Sequence, residues 1–270
     1  MGLLRELAPF SEAVWRAVDE AAKEVLEVQL AARRLMDFVG PVGWNESALD
    51  LGRTAPISPA PAGLELRRRL VRPLVELRAP FRLPRAELER IDRGARDVDL
   101  EPVRRAAEAF ARAEDEALLL GCAPADLPGL VPCAAHEPVA MEPDPHAFPA
   151  AVARALEALR QAGVAGPYAL ALGSEAFQAL DAAGEGGFPV RRHVERVLGG
   201  PIVWARVLKG GLVMSQRGGD ARFVCGRDVA IGYLHHDGEH VELYLEESFT
   251  ADVPAPEAVV PLARKGAPPG

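Results

Sequence analysis

The sequence predicts an α+β protein of two lobes with an extended arm. Three observations carry that prediction: two long stretches with helical periodicity, a proline-rich stretch with no period, and a closing pair of alternating strands. At 270 residues and 49% hydrophobic content, the chain can build one large domain or two small ones with real cores, which excludes a disordered protein. A net charge of -8 and a pI near 5.4 argue against a protein that coats nucleic acid, a task that needs phosphate neutralisation by Lys and Arg. Three cysteines without a CxxC pair encode neither a disulfide framework nor a zinc knuckle, and point to a reducing cytoplasm. No apolar run fits a signal peptide or a membrane span, so no membrane partner is expected.

The first helix is expected over residues 11–37, with Ser11 as its cap and Glu12 in the first turn, where the helix dipole favours negative charge. Val14, Val18, Ala21 and Val25 make one apolar stripe. Leu26, Leu30, Arg33 and Asp37, spaced four, three and four, share a second face that is half apolar and half charged. On spacing alone, Arg33 and Asp37 read as a solvated i,i+4 pair. Gly40 and Pro41 then end the helix.

Residues 48–72 change character. TAPISPAPAG holds three prolines and one glycine, which predicts an extended arm or loop tip. Its far side, LELRRRLVR, has four arginines and no interleaved aromatic, a pattern better suited to carboxylate partners than to bases. VELRAPFRL alternates as a half-buried strand with Val75, Leu77, Ala79, Phe81 and Leu83 inward. A second long helix, the candidate spine, is expected over residues 99–120 and is stopped by Gly121. After a Pro- and Gly-rich transition the second lobe alternates helix and strand. Helices are expected near 148–161, 175–180 and 190–198, with strands in YALALG, PIVWARVL and GLVMSQ. A hairpin closes the pattern, with Phe223, Cys225, Val229, Ile231 and Tyr233 facing Val241, Leu243, Leu245 and Phe249 across an HHDG turn.

Chemistry is hard to find. His235, His236, Asp237 and His240 form the one metal-like cluster, but they fall on a predicted turn with no further ligand, so no metal site is expected. GEGG (184–187) and RGGD (217–220) match neither a dinucleotide nor a phosphate-loop pattern. No serine sits in GxSxG, and no cysteine has a recognisable His partner. Glu114, Asp115 and Glu116 are read as the outer face of the spine helix. No catalytic residue and no cofactor are expected.

The segments PFSEAVWRAVDEAAKEVL, AARRLMDFVGPVGW, VRPLVELRAPFRL, AGVAGPYALALG, GGPIVWA, RGGDARFVCGRDVAIGYLHHDGEHVELYLEESFT and PEAVVPL resemble, in order, the type 1 encapsulin shell proteins, also called the linocin M18 family. The resemblance implies the HK97-like fold of tailed-phage capsids. Residues 1–47, 73–133 and 223–251 would form the peripheral lobe, 48–72 the E-loop arm, and 134–222 with 252–270 the axial lobe. It implies a non-enzymatic subunit that closes, simplest as a 60-mer, into a cytoplasmic icosahedral shell around a cargo enzyme. That cargo would be a ferritin-like protein, with iron storage, or a dye-decolourising peroxidase, held by a C-terminal targeting peptide. Leu26, Leu30, Arg33 and Asp37, with Asp228, Val229 and Ile231, match the family's cargo-peptide groove. Gly184, Glu185, Gly186 and Gly187 fall where the family places a five-fold pore. The segment LPRAELERIDRG has Arg85 and no aromatic where some members stack flavin, so flavin is not carried over. A prophage capsid protein packaging DNA is the first rival. Net acidity, and a chain that begins almost directly with its helix rather than with a scaffolding region, weigh against it. A bacteriocin or protease, the second rival, lacks a nucleophile motif and a signal peptide.

Overall fold

The computed structural model describes residues 3–185 and 188–264. Helix α1 (Glu12–Gln29) starts where expected, with Ser11 Oγ accepting from the Ala13 N–H at 3.1 Å, and it buries Val14, Trp15, Val18, Ala21, Ala22 and Leu26. It does not run to residue 37. The chain breaks at Leu30 (ψ 88°), makes a 3-10 turn over Ala32–Arg34, and Asp37 opens a strand, β1 (Asp37–Val39). The cause is distant in sequence. The Asp115 carboxylate accepts the N–H groups of Ala31 (3.1 Å) and Ala32 (2.8 Å), which a continuing helix would have used itself. Leu26, Leu30, Arg33 and Asp37 therefore share no helical face.

The arm is a two-stranded antiparallel ladder of β2 (Ala48–Pro56) and β3 (Arg67–Pro73). Next, β4 (Val75–Pro84) shows the expected alternation, ending on buried Phe81 and Leu83. Two helices follow: α2 (Arg85–Asp92) and α3 (Glu101–Asp115). The second continues as a π-type turn over Glu116–Leu120 and stops at Gly121, whose φ of +85° favours glycine.

The second lobe holds α4 (Leu130–Cys133), β5 (Val139–Met141), α5 (Phe148–Gln161), β6 (Tyr168–Leu172) and α6 (Ser174–Ala182). A small pair, β7 (Gly184–Glu185) and β8 (Phe188–Pro189), leads into α7 (Val190–Leu198), β9 (Ile202–Trp204) and β10 (Gly211–Ser215). The long hairpin of β11 (Arg222–His236) and β12 (His240–Asp252) returns to the first lobe, and β13 (Val259–Arg264) crosses back to the second.

Besides the β2–β3 and β7–β8 pairs, two larger sheets result, in the orders β1-β11-β12-β4 and β5-β13-β10-β6-β9. The first packs under α1 and α3 through Val14, Trp15, Leu83, Phe110, Ile231 and Leu243. The second packs against α5 and α7 through Phe148, Leu156, Leu170, Val194 and Val213. A third cluster, including Met36, Leu118, Met214, Phe223 and Phe249, joins the two sheets. Among the described residues no helix is long and apolar enough to cross a membrane.

Candidate functional site: a groove between the first helix and the hairpin

A cavity of about 590 Å³ lies between α1 and β11. Leu26 and Leu30, at the end of α1, line it together with Arg33, Asp228, Val229 and Ile231. Six of the seven residues expected to form a peptide groove thus meet here, although they arrive from a broken helix and a bulged strand rather than from one helical face. Asp37 is the exception. It lines a different cavity with Gln216 and Asp220, and its Oδ2 accepts the Gly219 N–H at 2.6 Å. The strand pairing of Asp37 with Arg222 carries it away from the groove.

The rim is charged but mostly neutralised. Arg5 meets Asp19 at 2.6 Å and Lys23 meets Glu27 at 3.5 Å. Arg34 caps the end of α1, donating to the Val28 carbonyl at 2.9 Å.

Arg33 is committed inside the chain. Its Nε and Nη2 donate to the two oxygens of Glu114 (2.9 and 3.1 Å), Nη2 also to Glu247 (2.5 Å), and Nη1 to Asp228 (2.7 Å). Four of the guanidinium's five N–H groups are therefore engaged. Burial pulls the Arg33 pKa down, but the bond and charge of Glu114, with Glu247 and Asp228, outweigh it and hold the pKa above its ordinary value. Glu247 is raised as well: burial, then the neighbouring Glu114 carboxylate, pushes it well above the usual carboxylate range.

This network corrects the expectation for the acidic run. Glu114 and Asp115 are 0% and 1% exposed, not on an outer face. Glu114 lies four residues after Phe110 and seven after Ala107, on the buried stripe of α3, so the signal was in the spacing. Burial raises the Asp115 pKa to about 7, against the lowering effect of the Ala32 and Ala31 N–H groups.

Cys225, Asp228 and Glu247 bring possible ligand atoms within 4.8 Å of one another. They do not fit a metal, because Arg33 already bridges both carboxylates and burial with the Glu247 charge pushes the Cys225 thiol up, away from thiolate. The histidine cluster is a hairpin tip. Asp237 Oδ1 accepts from the Glu239 (2.8 Å) and His240 (2.7 Å) N–H groups, which lower its pKa to about 2, and His236 Nδ1 faces the Tyr233 hydroxyl at 2.5 Å. Gly184 and Glu185 form the first strand of the β7–β8 pair, while Gly186 and Gly187 lie outside the described residues.

Residues 1–250 match the family described as "Encapsulating protein for peroxidase". The chain is 45% identical over 267 residues to the type 1 encapsulin shell protein of Rhodospirillum rubrum, covering 96% of this chain and 95% of that one. It is 40% identical over 261 residues to that of Rhodococcus erythropolis, covering 97% and 99%. Among solved structures it is similar to a virus-like particle subunit from Pyrococcus furiosus (TM-score 0.65, 16% identity, 92% of this chain and 98% of that one). A chain of Mycobacterium phage Bobi aligns with a TM-score of 0.57 at 14% identity, covering 88% and 91%. At those identities the likeness is one of fold, and the fold is the HK97-like capsid fold. Full-length identity to shell proteins and a family match over residues 1–250 lead to one conclusion: the chain belongs to the encapsulin shell-protein family.

Proposed function

We propose that the chain is a non-enzymatic shell subunit, that copies of it close into an icosahedral compartment in the cytoplasm, and that the compartment encloses a cargo enzyme. Sixty copies is the simplest closure. A peroxidase, the cargo class in the family's description, or a ferritin-like protein is the enzyme enclosed. The two-sheet division supports a peripheral lobe around β11 and β12 and an axial lobe around β10, with residues 48–72 as the arm. Gly184 and Glu185, at the start of the β7–β8 pair, border the five-fold opening in this reading.

The observation that carries the cargo reading is the groove itself. Apolar Leu26, Leu30, Val229 and Ile231 surround a cavity large enough for a peptide, beside a rigid charged network that fixes the relation of α1 to β11. The C-terminal targeting segment of the cargo seats there. Val229→Asp puts a charge on the apolar wall at a half-buried position. Particles of this variant are expected to assemble normally and to carry less than a tenth of the wild-type cargo, read as the cargo-to-shell mass ratio of intact particles. Wild-type loading in the variant would remove the groove from the function.

A further inference from the structure

The groove touches four consecutive residues of β11, Asp228, Val229, Ala230 and Ile231. Successive side chains of a strand point to opposite faces, so a cavity over a face would meet every second residue. Leu245 of β12, opposite Ile231, lines it as well, so the cavity covers the sheet's face at that end, and at the bulged Asp228–Ala230 stretch it reaches the strand's edge.

That edge is partly used already. On its inner side β11 pairs with β12, without a break in register from Ala230 to Tyr233. On its outer side Asp37, Phe38 and Val39 pair with residues 222–224. The Val42 and Gly43 N–H groups then bond the carbonyls of Cys225 (2.9 Å) and Gly226 (2.8 Å). Further along, the Tyr233 N–H donates outward to the Leu3 carbonyl at 2.8 Å. Between Gly226 and Tyr233 no described residue gives the outer edge a backbone partner; the Val229 N–H bonds only the neighbouring Asp228 carboxylate, at 2.8 Å. Because Tyr233 faces outward and the register is regular, alternation turns the N–H and C=O of Ile231 outward too. Ile231 is 3% exposed, so these groups sit where water reaches little and an unmade bond is costly.

We infer that the groove receives its guest as an added β-strand, hydrogen-bonded to the outer edge of β11 between Gly226 and Tyr233. The inference rests on the reading of this groove as the cargo site. The guest is the extended tail segment of the enclosed enzyme, apolar at alternate positions and without a required charge. Its length follows from the gap, residues 227–232: about six residues, or roughly 20 Å of extended chain. Its neutrality follows from the rim, where Arg5, Lys23 and Arg33 already have carboxylate partners within the chain. Outward amides supply affinity, and Leu26 and Leu30 select apolar side chains on the face turned toward α1. The bulges between Arg227 and Ala230 twist the strand away from β1 and leave the edge open.

The test uses cargo-free particles of the full chain and a synthetic peptide copied from the C-terminal segment of the enzyme that co-purifies with native particles. A set of variants carries one backbone N-methyl group at each successive position. The parent peptide is expected to bind wild-type but not Val229→Asp particles. N-methylation is expected to weaken binding about tenfold at alternate residues and hardly at all between them. A flat N-methyl scan, within twofold throughout, in a peptide that still needs Val229 would overturn strand addition while leaving the groove in place. Equal binding to both particles, or binding to neither, would overturn the groove reading and this inference with it.

Discussion

Arg33 and Glu114, 81 positions apart, meet fork to fork, with Nε–Oε1 at 2.9 Å and Nη2–Oε2 at 3.1 Å. The pair ties the break after α1 to the end of α3, and through Glu247 and Asp228 to both strands of the hairpin. Removing the cation would leave Glu114 and Glu247 fully buried without their partner. Arg33→Ala is expected to cost about 3–5 kcal/mol and to reduce the yield of assembled particles, measured by size-exclusion chromatography and electron microscopy. Arg33→Lys should recover only part of it, because an ammonium cannot span both oxygens of Glu114 while reaching Asp228. Full yield from Arg33→Ala would show the network to be dispensable.

Asp115 predicts the sign of a pH dependence. Its pKa is raised from 3.8 to about 7 in the folded chain, so between those values the folded state binds more protons than the unfolded state. Stability from this group is therefore greatest below about pH 4 and is lost as pH rises through about 7, by up to about 4 kcal/mol. Glu247, raised in the same direction, adds to the slope. The melting temperature of cargo-free particles should fall from pH 5 to pH 8, and fall less steeply in Asp115→Asn. Identical slopes in the two proteins would refute the assignment to Asp115.

Asp37 separates the sequence expectation from the geometry. Asp37→Asn weakens the bond from the Gly219 N–H, at a cost of about 1 kcal/mol, yet lies outside the groove. Cargo loading should match wild type, measured as the same cargo-to-shell mass ratio. A loss of cargo in intact Asp37→Asn particles would return this residue to the site.

The pore proposal is checked at Glu185. A ring of carboxylates at a five-fold mouth favours cations over anions, so Glu185→Lys should slow ferrous iron entry into particles loaded with an iron-oxidising cargo. An unchanged rate of oxidation, with cargo content equal, would move the entry route elsewhere.

Local pattern carried much of the fold. The alternation of β4, the bounds of α5 and α7, and the hairpin all follow from spacings of two or of three and four residues, which the backbone reads directly. The break at Leu30 was not legible, because LAARRLM is composed of good helix formers and the group that stops it, Asp115, lies more than eighty residues away. The buried position of Glu114 was legible in principle: it continues the Val103, Ala107 and Phe110 stripe, but an acidic run invites an exposed reading. Most of the groove came from resemblance rather than from periodicity. Its edge-on contact with β11 required the register itself.

The β2–β3 arm has no core of its own, and Ile57, Leu64, Leu66 and Val71 on or beside it are all at least 40% exposed. A lone pair of strands is marginal in water, so a free copy holds this ladder only weakly while its two sheets stay folded. In a closed shell, neighbours would cover those side chains. The amide hydrogens of the arm then become a clock: fast to exchange with solvent in a single copy, slow once the neighbours have arrived, and therefore a record of assembly written in a part of the chain that neither cargo nor pore touches.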